Sequence, residues 1–211
     1  VELSMNGDST RPWSPTEGSE TSDLLAHFHT KSKGRFDLVA QRNLVKSTTE
    51  ILAKCVTPTG PVATATGLVI GYVQSGKTMS FTTVAAMAVD SGYRVVIVIT
   101  GTTDLLYGQS ASRLNDDLRH DPRTARKWKH FREPGPNDRD QLVRMFDAQQ
   151  DETIPPQDRR VVLITVKKNW QVLDRLVDLL KPLNRKSLPT LIIDDEAHMK
   201  VDGKPVSGSL F

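Results

Sequence analysis

Along the chain, the spacing of apolar residues changes near Thr57. Before it, Phe36, Val39, Ala40, Leu44, Ile51 and Leu52 recur at roughly helical spacing, which predicts a helix between Phe36 and about Val56. The segment TPTGP, Thr57 to Pro61, ends that pattern. Beyond it, apolar residues come in continuous runs. Gly67–Val73, Val95–Ile99, Val161–Val166 and a run ending at Leu191–Ile193 read as four strands. Between them, Lys77 to about Asp90, Asp104–Leu118 and about Asn169–Leu180 read as helices. Runs that are apolar throughout suit strands buried on both faces of a parallel sheet. The strand–helix–strand order implies right-handed crossovers and an open, mostly parallel α/β sheet flanked by helices.

Two regions break this rhythm. Val1 to about Ser22 is rich in Ser, Thr, Glu, Gly and Pro, and is expected to be a flexible arm. Arg119 to Arg160 reads as an insertion before the third core strand. It contains Pro134, Gly135, Pro136, Pro155 and Pro156 and a short helix around Asp138–Ala148. Its first part, Arg119 to Arg132, holds six Lys or Arg against one acid, Asp121, with Trp128 and Phe131 among them. Such a segment either tracks phosphates and stacks bases or forms a solvated surface helix.

Composition narrows the setting. A chain of 211 residues with 37% hydrophobic and 25% charged residues suits one globular domain with a small appendage. No apolar run approaches a membrane span, and no membrane partner is expected. One cysteine, Cys55, excludes an internal disulfide. With no charged-then-apolar leader, a reducing, cytoplasmic location is expected.

The stretch GLVIGYVQSGKTMS carries the chemistry. Gly71, Gly76, Lys77 and Thr78 fit the spacing G-x-x-x-x-G-K-[ST]. Glycines permit the turn from strand to helix, and the successive N–H groups of Val73, Gln74, Ser75 and Gly76 would form an anion nest. The following helix adds its positive end. Lys77 would reach the β- and γ-phosphates of ATP, and the Thr78 hydroxyl would ligate Mg²⁺.

A second element supplies the acids. In LIIDDEAH, Leu191 to His198, a buried strand delivers carboxylates at its C-terminal end, where open α/β sheets bind ligands. Asp195 would hold Mg²⁺ through water and Glu196 would deprotonate the attacking water. Asp194 would point to the opposite face.

The string Asp195-Glu196-Ala197-His198 resembles the DEAH box of superfamily-two helicases and translocases. In that family the histidine couples the nucleotide to the rest of the motor, so His198 is a candidate coupling residue. GLVIGYVQSGKT, GYRVVIVITGTTDLLYGQSASRL, VVLITVKKN and LIIDDEA together resemble the Z-one domain family, whose members carry an endonuclease label. These are ATPase cores of bacterial anti-phage and restriction-like systems. The resemblance spans roughly Gly67 to Ala197 and departs at His198, where the family favours a second acid. It implies a RecA-like P-loop NTPase fold and an ATPase acting on DNA, with ATP and Mg²⁺ as cofactors. It also implies that Thr100, Thr102 and Gln109 after the second strand, and Thr165, Lys167 and Lys168 at the third, face nucleic acid.

The domain organisation expected on this basis is an arm at 1–22, a helical segment at 23–60 and a first RecA-like domain at 61–211, with the insertion at about 119–160. A second RecA-like domain, supplying an arginine finger worth about 10³ to 10⁵ in rate, would lie outside this chain. Defence-system partner proteins are also expected. No separate nuclease centre is visible, because the only tight acidic cluster is Asp194–Glu196. The rival reading is an ATP-dependent switch or scaffold that controls assembly with effector proteins. A small-molecule kinase would need a lid of arginines, and phage terminase ATPases are neighbours in fold.

Overall fold

The computed structural model describes residues 13–69, 76–155, 158–183 and 188–195. The chain divides into two compact units, Val1–Tyr93 and Arg94–Phe211.

The described part of the first unit is helical: α1 (Ser19–Lys31), α2 (Leu38–Leu52) and α3 (Lys77–Asp90). Asp37 caps α2 by accepting from the Ala40 N–H at 2.9 Å. Both α1 and α2 pack on α3. Small and apolar residues make α3 buried from Phe81 to Val89 on every side. Its buried hydroxyls bond back along the helix, Thr82 to the Thr78 carbonyl at 2.6 Å and Thr83 to the Met79 carbonyl at 2.8 Å.

Residues 13 to 22, read from composition as part of an arm, are bonded into this unit. The Trp13 indole donates to the Cys55 carbonyl at 2.7 Å. The Asp90 carboxylate accepts from the N–H groups of Gly18, Glu20 and Thr21 and from the Thr21 hydroxyl, at 2.7 to 3.1 Å. A side chain from the end of α3 thus satisfies the free amides at the start of α1. Composition cannot show this, because the acceptor lies about seventy residues away. Asp90→Ala is expected to cost about 1–3 kcal/mol by leaving these donors unpaired, and to fray α1. Chemical denaturation with hydrogen exchange on residues 18–22 would measure it.

The second unit is an α/β sheet. Its strands β1 (Val95–Thr100), β2 (Trp128–Arg132), β3 (Val161–Lys167) and β4 (Thr190–Asp194) lie in the order β2-β3-β1-β4. All pairings are parallel, with Val95 opposite Val162 and Thr190, and Trp128 opposite Val161. Helices α4 (Asp104–Leu118), α5 (Pro122–Lys127), α6 (Arg139–Ala148) and α7 (Trp170–Leu180) complete it. Thr103 caps α4 and Asn169 caps α7 through side-chain oxygens.

Alternation along the strands separates two faces. Val95, Ile97, Ile99, Val162, Ile164, Val166 and Phe131 form one core with Leu142 and Phe146 of α6 and Val172, Leu173, Leu176 and Leu179 of α7. The opposite face carries Thr165 and His130, which bond to Tyr107 and Asn115 of α4. Every residue of β1 is buried, as a strand covered on both faces requires.

Two expectations change. Trp128–Arg132, inside the presumed basic insertion, is a strand of the sheet, neither a solvated helix nor a base-stacking patch. Trp128 is 0% exposed and Phe131 is buried in the core. Aromatic residues favour a pleated, half-buried surface, and here they outweigh the cations between them. Those cations suit an edge strand, where charge discourages further pairing. Conversely, Gly67–Val69 belong to none of the four strands, and Leu68 and Val69 are 51% and 47% exposed. Residues 70–73 of that expected strand lie outside the described residues.

Candidate nucleotide site and strand-end cluster

The first unit contributes the end of the glycine loop. Gly76 is the N-cap of α3, with φ 74° and ψ 33°, in the left-handed region that favours glycine. Exposed Lys77 and half-buried Thr78 are the first two residues of the helix. The helix therefore presents free N–H groups, its positive end and a lysine at one terminus. Gly71, Val73, Gln74 and Ser75 lie outside the described residues, as do Glu196 and His198.

The second unit gathers polar residues at the carboxyl ends of its strands. Ile99 of β1 is opposite Asp194 of β4, and the Asp195 N–H donates to the Ile99 carbonyl at 3.0 Å. Thr100 is opposite Lys167. Gly101, with φ 50°, turns the chain so tightly that a Cβ there would lie 2.5 Å from the Tyr107 nitrogen. The Gly101 carbonyl accepts the Lys168 N–H at 2.9 Å. Thr78 in the first unit and Asp195 in the second each carry oxygen of the kind a hard cation takes. Among the described residues, no group of three or more His, Cys, Asp or Glu is placed to hold a metal.

The residues expected to touch nucleic acid occupy varied positions. Gln109 is exposed and Thr102 is half-buried. Thr100 is 1% exposed, and its hydroxyl has no partner among the described residues. Thr165 is buried, with its hydroxyl on His130 Nε2 at 2.9 Å. The Lys167 ammonium pairs with Asp104 at the start of α4, and this partner raises its pKa. The Lys168 ammonium pairs with Asp194 at 2.8 Å.

His130, Tyr107 and Arg132 were not singled out from the sequence, and Asp194 was read only as pointing to the opposite face from Asp195. His130 links β2, β3 and α4. Asn115 Oδ1 accepts from Arg119 at 2.7 Å and lies 3.3 Å from His130 Nδ1, so His130 carries its proton on Nδ1 and takes the Thr165 hydroxyl at Nε2. The Arg132 guanidinium lies 5.7 Å from the Tyr107 ring centroid. The one usable signal was WKHFR itself, where Trp128 and Phe131 enclose Lys129 and His130, a pattern that suits a strand with a polar residue among apolar ones on each face.

Burial, with Arg132 and Arg119 nearby, pushes the His130 pKa down to about 4 from 6.5. The folded protein therefore binds fewer protons than the unfolded chain between these values. The stabilisation from neutral His130 is complete above about pH 6.5 and is lost as pH falls towards 4. Discounted for partial exposure, it is expected to reach about 1–3 kcal/mol. Urea denaturation across pH 4 to 7 should show this slope in wild type and lose it in His130→Gln.

Among the described residues, no helix is long and apolar enough to cross a membrane. No family model, curated protein or solved structure matches the chain.

Proposed function

We propose that this chain is the ATP- and Mg²⁺-binding, RecA-like N-terminal core of a helicase- or translocase-like ATPase acting on DNA, of the kind found in the Z-one domain family. The observation that carries the reading is Gly76. It stands in a left-handed cap and delivers Lys77 and Thr78 onto the first turn of a long, buried helix. A triphosphate takes its ligands from such a helix start, where amides, dipole and ammonium act together. The acids at the carboxyl edge of the parallel sheet supply the second half of the chemistry. Asp195 would hold the hydrated Mg²⁺ and Glu196 would take the proton of the attacking water. ATP brings the transferable phosphoryl group. The protein's own groups orient it and neutralise its charge.

A specific observation favours the rival, an ATP-dependent switch that controls assembly with partner proteins. Trp128, Phe131, Thr100 and Thr165 are buried, so they are unavailable to bases and phosphates as placed. ATPase rates of the full-length protein with and without DNA separate the two readings. A motor gives DNA-stimulated hydrolysis, whereas a switch ignores DNA. In the same assay Glu196→Gln is expected to retain bound ATP while turnover falls by about 10² or more. Normal turnover would remove Glu196 from its role.

A further inference from the structure

Three neighbouring strands are entered through arginine. Arg94 precedes Val95 of β1, Arg160 precedes Val161 of β3, and Arg126 lies two residues before Trp128 of β2. The register sets these starts side by side, with Val95 opposite Val162 and Trp128 opposite Val161. The Arg94 carbonyl accepts the Val162 N–H at 3.0 Å, and the Arg94 N–H donates to the Pro189 carbonyl at 2.9 Å. Because every pairing is parallel, these residues share the amino edge of the sheet. The six residues of β1 put that edge about 20 Å from the carboxyl edge, where Asp195 stands.

Neutral groups, not carboxylates, hold these guanidinium groups. Arg159 donates from Nε to the Ile154 carbonyl, from Nη1 to the Gln149 carbonyl and from Nη2 to the Asp151 carbonyl, at 2.8 to 3.0 Å. Arg160 Nε donates to the Arg126 carbonyl at 2.7 Å, and Arg126 Nε to the Pro122 carbonyl at 3.2 Å. Among the described residues, no carboxylate forms an ion pair with Arg94, Arg126, Arg159 or Arg160. Positive charge is thus fixed in place without a counter-charge. Arg159 keeps two of its five N–H donors for another acceptor, and Arg160 keeps four. Arg94 is half-buried, and its burial together with the nearby Arg159 charge pushes its pKa below the ordinary value. An anion seated here would relieve that repulsion.

The surroundings select a small anion. Asp151, Glu152 and Asp158 are exposed on the segment leading to Arg159, and would repel a long polyanion laid across the edge. Trp128 and Phe131 are buried, so they offer no ring on which bases could stack. A single phosphate group has the charge and the forked acceptors that guanidinium groups take. From this geometry we infer that the amino edge of the sheet, through Arg94, Arg159 and Arg160, is a binding site for the phosphate group of a small molecule. The site is separate from the proposed nucleotide site and does not depend on it.

The test is calorimetry at low salt on the full-length protein carrying Lys77→Ala, which removes the glycine loop's own cation. The probes are pyrophosphate and glycerol phosphate. At least one is expected to bind at sub-millimolar concentration. Arg94→Gln in that background should weaken binding about tenfold, and adding Arg160→Gln about tenfold more. Arg94→Lys keeps the charge without the fork and should recover only part of the loss. If Arg94→Gln fails to fold, Arg160→Gln alone carries the test. Tighter pyrophosphate assigns the site to a diphosphate, and tighter glycerol phosphate to a monoester; either supports the inference. Binding of neither probe at millimolar concentration would overturn it, as would affinity unchanged by the arginine substitutions. Duplex DNA that binds through these arginines and is not displaced by pyrophosphate would overturn it in favour of a polymer. None of these failures touches the nucleotide reading, which is tested by Mg–ATP binding to protein with Lys77 intact.

Discussion

Lys77→Ala is expected to weaken Mg–ATP binding by about 100-fold or more, beyond reach of ordinary calorimetry. Lys77 is the only side-chain cation within the glycine loop, and it stands exposed at the first position of α3. A charge-assisted contact to phosphate contributes about 1.5–3 kcal/mol, and the upper part of that range gives the stated factor. Backbone amides and the helix terminus would survive the substitution, so the fold should be unaffected. Circular dichroism with an unchanged melting temperature would confirm that. Unchanged affinity would refute the anion-nest site and the reading built on it.

Trp128→Ala is expected to destabilise the protein by about 3–5 kcal/mol, the ordinary cost of removing a wholly buried large aromatic side chain. Trp128 opens β2 and pairs with Val161 at the start of β3. Its loss leaves a cavity under the edge strand and loosens the strand that carries His130 and Arg132. Guanidinium denaturation would measure the loss directly. If Trp128 stacked on bases, the same change would leave stability intact and weaken only nucleic-acid affinity. Stability within about 1 kcal/mol of wild type would therefore contradict a core role for this residue.

The helices were legible because their signals are local. Lys77–Asp90 and Asp104–Leu118 follow from apolar spacing and from punctuation by Gly76, Thr103 and Ser91, all within a few residues of the ends they set. The fully apolar runs in β1 and β3 likewise announce strands covered on both faces. The segment WKHFR was misread for the opposite reason. Its cations dominate the composition, whereas its structure depends on β3, some thirty residues later, providing a partner ladder.

By itself, then, the sequence determined the α/β class, the boundaries of α3, α4, α6 and α7 to within a residue or so, and the placing of a glycine–lysine–threonine turn at the start of a helix. Backbone preference and apolar period act over one or two turns, so they can be read residue by residue. Only the tertiary structure decided the strand order and the position of Asp90 at the start of α1. It alone turned Lys168 inward to Asp194 and Thr165 towards His130. Each of those outcomes depends on a polar or charged group finding its partner across a large gap in the chain. Burial makes such pairing obligatory without specifying in the local sequence which partner will be met.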